Sequence, residues 1–133
     1  MQKILLAYDG GEPARRALTT AAELAKLSGA TVSVVSVVPF RPGRFPMDPW
    51  DTTEDHANEL LEARGLLRQR GIEPVLLEPT GDPARSIERI AEEGDYDTIV
   101  IGSRGLTSIG RVLQGSVSSH VAAHATAPVV VAR

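Results

Sequence analysis

The sequence predicts an α/β protein built on a parallel sheet. Apolar runs of strand length recur along the chain: Ile4 to Tyr8, the β-branched stretch Thr31 to Val38, Thr98 to Ile101, and Val129 to Val131. Between them lie segments whose small and apolar residues repeat at helical spacing. Glycine and proline mark most of the junctions. Repeated βαβ alternation argues for helices on both faces of one sheet, joined by right-handed crossovers.

Each element has its own justification. Glu12-Pro13-Ala14 opens the first helix, with proline in its tolerated first turn. Ala14, Ala17, Leu18, Ala21, Ala22 and Ala25 form its apolar stripe, and Ser28-Gly29 ends it. Thr31 to Val38 reads as a strand buried on both faces, stopped by Pro39. Residues 39–52 form an irregular Pro-rich loop that fits neither helix nor strand. Asp51 or Thr52 caps a second helix that runs to about Arg70 and ends at Gly71. Ile72 to Glu78 reads as a third strand, and Pro74 places it at a sheet edge. Gly81-Asp82-Pro83 starts a third helix with Ile87, Ile90 and Ala91 inward. Strand four follows the Gly94-Asp95 turn, the fourth helix spans Val117 to Ala125, and Val129 to Val131 makes strand five.

Composition bounds the function. At 133 residues with 42% hydrophobic content, the chain suits one domain with a real core. Aromatics are 4%, so that core is built from Val, Ile, Leu and Ala. A net charge of −3 and a pI near 5.6 argue against nucleic acid as a partner. The lack of cysteine excludes disulfides, thiol chemistry and Cys-based metal sites. No stretch is long and apolar enough to span a membrane, and no signal peptide precedes the first strand. The expectation is a soluble cytoplasmic protein without membrane partners.

The most telling motif follows strand four. Gly102-Ser103-Arg104-Gly105 is followed, after nine residues, by Gly115-Ser116-Val117-Ser118. Two glycine turns thus lie between a strand's carboxyl end and a helix's amino end, where open parallel sheets bind ligands. Glycine lets backbone N–H groups approach an anion, and a helix start offers unpaired N–H groups and a favourable dipole. The arrangement suggests a site for nucleotide phosphates.

The spacing resembles the G-x2-G-x9-G-[ST] signature of the universal stress protein family, matched at Gly102, Gly105, Gly115 and Ser116. Ile4 to Gly10, with Asp9 at the strand end, is similar to the family's first strand. The resemblance covers Lys3 to Arg133. It implies a three-layer α/β/α domain like that of the adenine nucleotide alpha hydrolases. It also implies a five-stranded parallel sheet in strand order 3-2-1-4-5. That order puts strands one and four side by side, so that Asp9 and the Gly102 loop share one crevice.

The resemblance further implies ATP as ligand, with Mg2+ bridging its phosphates. Asp9 would accept from ribose hydroxyls or hold the cation, and an Asx turn or helix cap is the alternative reading. The backbone of Val37 would face the adenine edge, or Val37 is an ordinary core valine. Ala7 leaves room for the base. Gly102 and Gly105, with Ser103 and Arg104 between them, would form the loop around the ribose and α-phosphate. Gly115, Ser116, Val117 and Ser118 would bind the β- and γ-phosphates, and a capped helix start is compatible with that role. Gly11 departs from the family, which commonly has serine there. Residues 39–52 read as a plain surface loop, or Phe45 or Trp50 from it could cover the ligand. His56, His120 and His124 read as solvated or helix-ending histidines, with no third ligand evident for a metal.

Two function classes follow. The first is a nucleotide-dependent regulatory protein of the stress response. The second is a slow ATPase or autophosphorylating enzyme with Ser116 or Ser118 as acceptor. No Walker lysine follows Gly115, which argues against fast phosphoryl transfer. A dimeric interaction module without nucleotide is a further alternative. The valine-rich last strand would be an exposed edge, and the family resemblance implies a homodimer through Pro128 to Ala132.

Overall fold

A computed structural model describes residues 1–39, 53–103 and 112–133. Its main sheet joins β1 (Lys3–Ala7), β2 (Thr31–Val35), β4 (Val75–Leu77), β6 (Thr98–Gly102) and β7 (Val129–Ala132). All pairs are parallel, in the order β4-β2-β1-β6-β7. This is the expected 3-2-1-4-5 topology, counted over the five strands of the main sheet.

The period-two alternation of β1 explains the layers. Ile4 and Leu6 point to one face and Leu5 and Ala7 to the other, all at 9% exposure or less. The first face packs on α1 (Glu12–Ser28) and α2 (Thr53–Arg68). The second packs on α3 (Pro83–Glu93) and α4 (Val112–His124). The alanine stripe of α1 is buried along its whole length, and the Gly29 N–H closes the helix on the Ala25 carbonyl at 2.8 Å. Asp82 caps α3 by accepting from the Arg85 N–H at 3.1 Å, with proline in the first turn as expected.

Four boundaries differ from the sequence reading. The second strand ends at Val35, and Val38–Pro39 forms a separate short strand, β3, paired with β5 (Thr80–Gly81) in a two-stranded sheet. The third strand of the main sheet keeps only Val75–Leu77 of the expected Ile72 to Glu78. Ile72 instead closes the end of α2, its N–H bonding the Leu67 carbonyl at 3.0 Å, and Glu73 pairs with Arg68 at its side. The α2 helix itself stops at Arg68. Its proposed caps Asp51 and Thr52, and the loop residues Phe45 and Trp50, lie outside the described residues. Finally, α4 starts at Val112, five residues before the expected Val117. A glycine near a helix start costs only about 1 kcal/mol, so Gly115 does not delay it.

A candidate nucleotide crevice at the carboxyl ends of β1, β2 and β6

The central strand β1 is flanked by β2 and β6, with Ala7 level with Val35 on one side and Ile101 on the other. Chain connections from β1 and β6 leave toward opposite faces, through α1 and α4. The strands therefore part at a topological switch point just past Ala7, where open α/β sheets hold ligands.

Asp9 stands at this point. Its Oδ1 accepts from the Gly11 N–H at 2.9 Å, which makes the Asx turn weighed from the sequence. Gly10 has φ +80, which allows the sharp departure of the chain from β1 into α1. Gly11 is the N-cap of α1 but offers no side-chain cap, so Asp9 is the side chain that orders this turn. A carboxylate accepts several hydrogen bonds, so the turn and a ligand contact are compatible.

Val37 is 8% exposed, and its side chain belongs to the core on the α3 and α4 face. Its backbone points elsewhere. The Ser36 N–H bonds Leu77 O at 3.0 Å and the Val38 N–H bonds Pro79 O at 2.8 Å, both on the β4–β5 side. Backbone groups alternate sides along an extended chain. The Val35 carbonyl accordingly faces β1, accepting from the Tyr8 N–H at 3.0 Å. The N–H and C=O of Val37 are thus turned toward the side where β1 has ended, into the crevice.

Gly102 ends β6 against the first turn of α1. A Cβ there would lie 2.4 Å from the Pro13 carbonyl oxygen and 2.9 Å from the Ala14 nitrogen. Only glycine permits this approach of strand end to helix start, a packing reason that the motif reading did not contain. The Ser103 N–H is held by the Ala132 carbonyl at 2.8 Å, so its hydroxyl is what it can direct elsewhere. Arg104 and Gly105 lie outside the described residues.

The start of α4 shifts the expected phosphate donors. The described part of α4 begins at Val112. Gly115 and Ser116 belong to the helix itself. Val117 packs on the core and Ser118 is buried at 5% exposure.

Several polar contacts surrounding the crevice were not legible from the sequence. Ser36 Oγ lies 2.6 Å from His56 Nδ1 and donates to Glu59 Oε2 at 3.0 Å. His56 is 7% exposed, which corrects the reading of a solvated histidine. This cluster pins the first turns of α2 onto the end of β2, beside Val37. The Tyr8 hydroxyl donates to Glu62, which also accepts from Arg15 at 3.3 Å. Burial, reinforced by the Glu62 carboxylate, pushes the Tyr8 phenol well above its ordinary range.

The fold is shared with known proteins. The Universal stress protein family matches residues 1–133. A universal stress protein of Thermus aquaticus, encoded in the QAH/OAS sulfhydrylase 3′ region, is 33% identical over 139 residues, covering 98% of this chain and 97% of its own. The universal stress protein structure from Archaeoglobus fulgidus superposes with a TM-score of 0.82 at 30% identity, over 100% of this chain and 99% of that one. A structure of the Archaeoglobus fulgidus universal stress protein in complex with dAMP gives 0.78 at 29% identity, over 100% and 98%. No helix among the described residues is long and apolar enough to cross a membrane. With the family match running from first residue to last, the chain belongs to the universal stress protein family.

Proposed function

We propose that the crevice binds an adenine nucleotide, with ATP and Mg2+ as its working ligand, and that occupancy regulates partner binding in the cytoplasm. The observation that carries this reading is the outward-turned N–H and C=O of Val37 beside Asp9. A donor and an acceptor from one residue match the paired acceptor and donor on the adenine edge. Ala7 supplies a small floor, and Asp9 supplies a carboxylate for ribose or cation. The amino end of α4 would offer N–H groups and a favourable dipole to phosphate oxygens. Gly102, Ser103, Arg104 and Gly105 would wrap the sugar and α-phosphate; Gly115, inside the helix, would leave room for the outer phosphates, and Ser116 would offer its hydroxyl to them. The dAMP complex of the Archaeoglobus fulgidus relative supports the base class.

A catalytic role has less support. The chain's lysines, Lys3 and Lys26, sit at the start of β1 and near the end of α1, away from the crevice. Ser118, one of the candidate phosphoryl acceptors, is buried. Efficient phosphoryl transfer needs cationic clamps and a positioned base. Calorimetry of the purified protein with Mg-ATP, AMP and dAMP, alongside Gly115→Val, tests the reading. Binding by wild type, with affinity lost in a variant of unchanged melting temperature, supports it. No binding of any of the three would leave a partner-binding module.

We further propose a homodimer through β7. Pro128 and Ala132 direct their carbonyls to β6, so Val129 and Val131 turn their backbone groups to the outer edge. Val131→Pro removes an outward N–H without touching the β6 ladder. Light scattering should show a dimer for wild type and a weakened one for the variant. A monomeric wild type would exclude this assembly.

A further inference from the structure

We propose that Glu88, His120 and His124 form a binding site for a divalent transition-metal ion of the Zn2+ class, bridging α3 and α4. One donor atom from each residue lies within 4.8 Å of the others. His120 Nδ1 and Glu88 Oε2 are 3.0 Å apart. Two ligands of one tetrahedral Zn2+ with bonds of about 2.0–2.1 Å are spaced at roughly 3.3 Å, so an ion would replace the proton this pair shares with a separation of only a few tenths of an ångström. His120 and His124 are one helical turn apart, and their rings stack at 4.1 Å with an interplanar angle of 22°. The His120 carbonyl accepts from His124 Nδ1 at 2.9 Å. Such a backbone contact orients a histidine ring and leaves the other nitrogen for an ion.

The helix backbones are anchored in the core beside the ligands. Ile87 and Val121, each the chain neighbour of a ligand, are 3% and 0% exposed in the core. They fix the two helix backbones. His124 is exposed, so its ring can move the last ångström or so onto an ion without a core rearrangement. Two imidazoles and one carboxylate suit Zn2+, Cu2+ or Ni2+ and not Mg2+, which takes oxygen ligands. The site is distinct from the nucleotide crevice. His120 and His124 lie 8 and 12 residues beyond the start of α4, about 12 and 18 Å along its axis from the end that faces the crevice. The inference therefore stands independently of nucleotide binding.

The test is a Zn2+ titration of the untagged, nucleotide-free protein by calorimetry, with melting temperature and the visible spectrum of the Co2+ form as second readouts. The expected result is one ion per chain, a raised melting temperature, and no response to Mg2+. His124→Ala and Glu88→Gln should each weaken Zn2+ about tenfold or more. Their metal-free melting temperatures serve as the folding control, and exposed His124 leaves that of His124→Ala unchanged. No uptake by wild type, or uptake unaltered in both variants, would overturn the proposal.

Discussion

The two ends of the main sheet are built differently. At the amino end the polar groups close on one another. Asp97 accepts from the Gln2 N–H at 2.6 Å and the Lys3 N–H at 3.2 Å. Lys3 donates to the Gly94 carbonyl and lies over the Tyr96 ring, 4.6 Å from its centre. The Tyr96 hydroxyl donates to Ser33 at 2.7 Å. At the carboxyl end the chain turns sharply at Gly10, packs backbone on backbone at Gly102, and aims the Val37 groups outward. One end is a clasp that holds the strands together. The other is a frame of sharp turns and close backbone approaches at the switch point. Changes at the clasp should cost stability alone, and changes at the frame should cost stability and ligand affinity together.

The largest effect is expected from Gly102→Ala. Its Cβ would meet the backbone of Pro13 and Ala14, so α1 must shift off the sheet. A loss of about 3 kcal/mol in urea unfolding follows from overpacking of this kind, together with weakened nucleotide binding. Gly94→Ala breaks the clasp instead. Its Cβ would sit 2.5 Å from the Tyr96 ring, displacing the Lys3 and Ser33 contacts. We expect about 1–2 kcal/mol and unchanged nucleotide affinity. A loss of affinity in Gly94→Ala would break the division between the two ends. Ser36→Ala removes a buried hydroxyl that holds His56 and Glu59, at about 1 kcal/mol, with a modest loss of affinity through the Val37 segment.

Two pH dependences are smaller. The native state keeps Tyr8 protonated, so its contribution is complete below the unfolded phenol value of about 10 and is lost as pH rises above it. Tyr8→Phe should flatten the alkaline limb of the stability profile. The Gln2 backbone N–H holds the Asp97 carboxyl below its usual range. That contribution is present above about pH 4 and is lost as the pH falls further. Asp97→Asn, at the clasp, should flatten the acid limb and leave nucleotide affinity unchanged, whereas Tyr8→Phe, at the frame, should also reduce affinity.

Much of the frame could be read from the residues themselves. The alternation of Ile4 to Ala7, the alanine stripe of α1 and the Asp82-Pro83 cap all act locally, and each appears as expected. The order of the strands came from the family motif, since alternation alone does not say which strands are neighbours. What could not be read depends on distant partners. The burial of His56 follows from Ser36, 20 residues away, and the pairing of His120 with Glu88 spans 32 residues. Gly102 carried two meanings at once, a motif position and a contact with α1, and only the second needs the fold to be seen. The start of α4 was misplaced because glycine was weighed as a turn where the helix simply absorbs it.

The most direct test of the account follows the backbone amides by NMR while Mg-ATP or AMP is added. Shifts are expected at Tyr8 to Gly11, Ser36 to Val38, Gly102 and Ser103, with the Gln2, Lys3 and Asp97 amides unmoved. Absence of any shift at millimolar nucleotide, or shifts concentrated at the amino-end clasp, would contradict it.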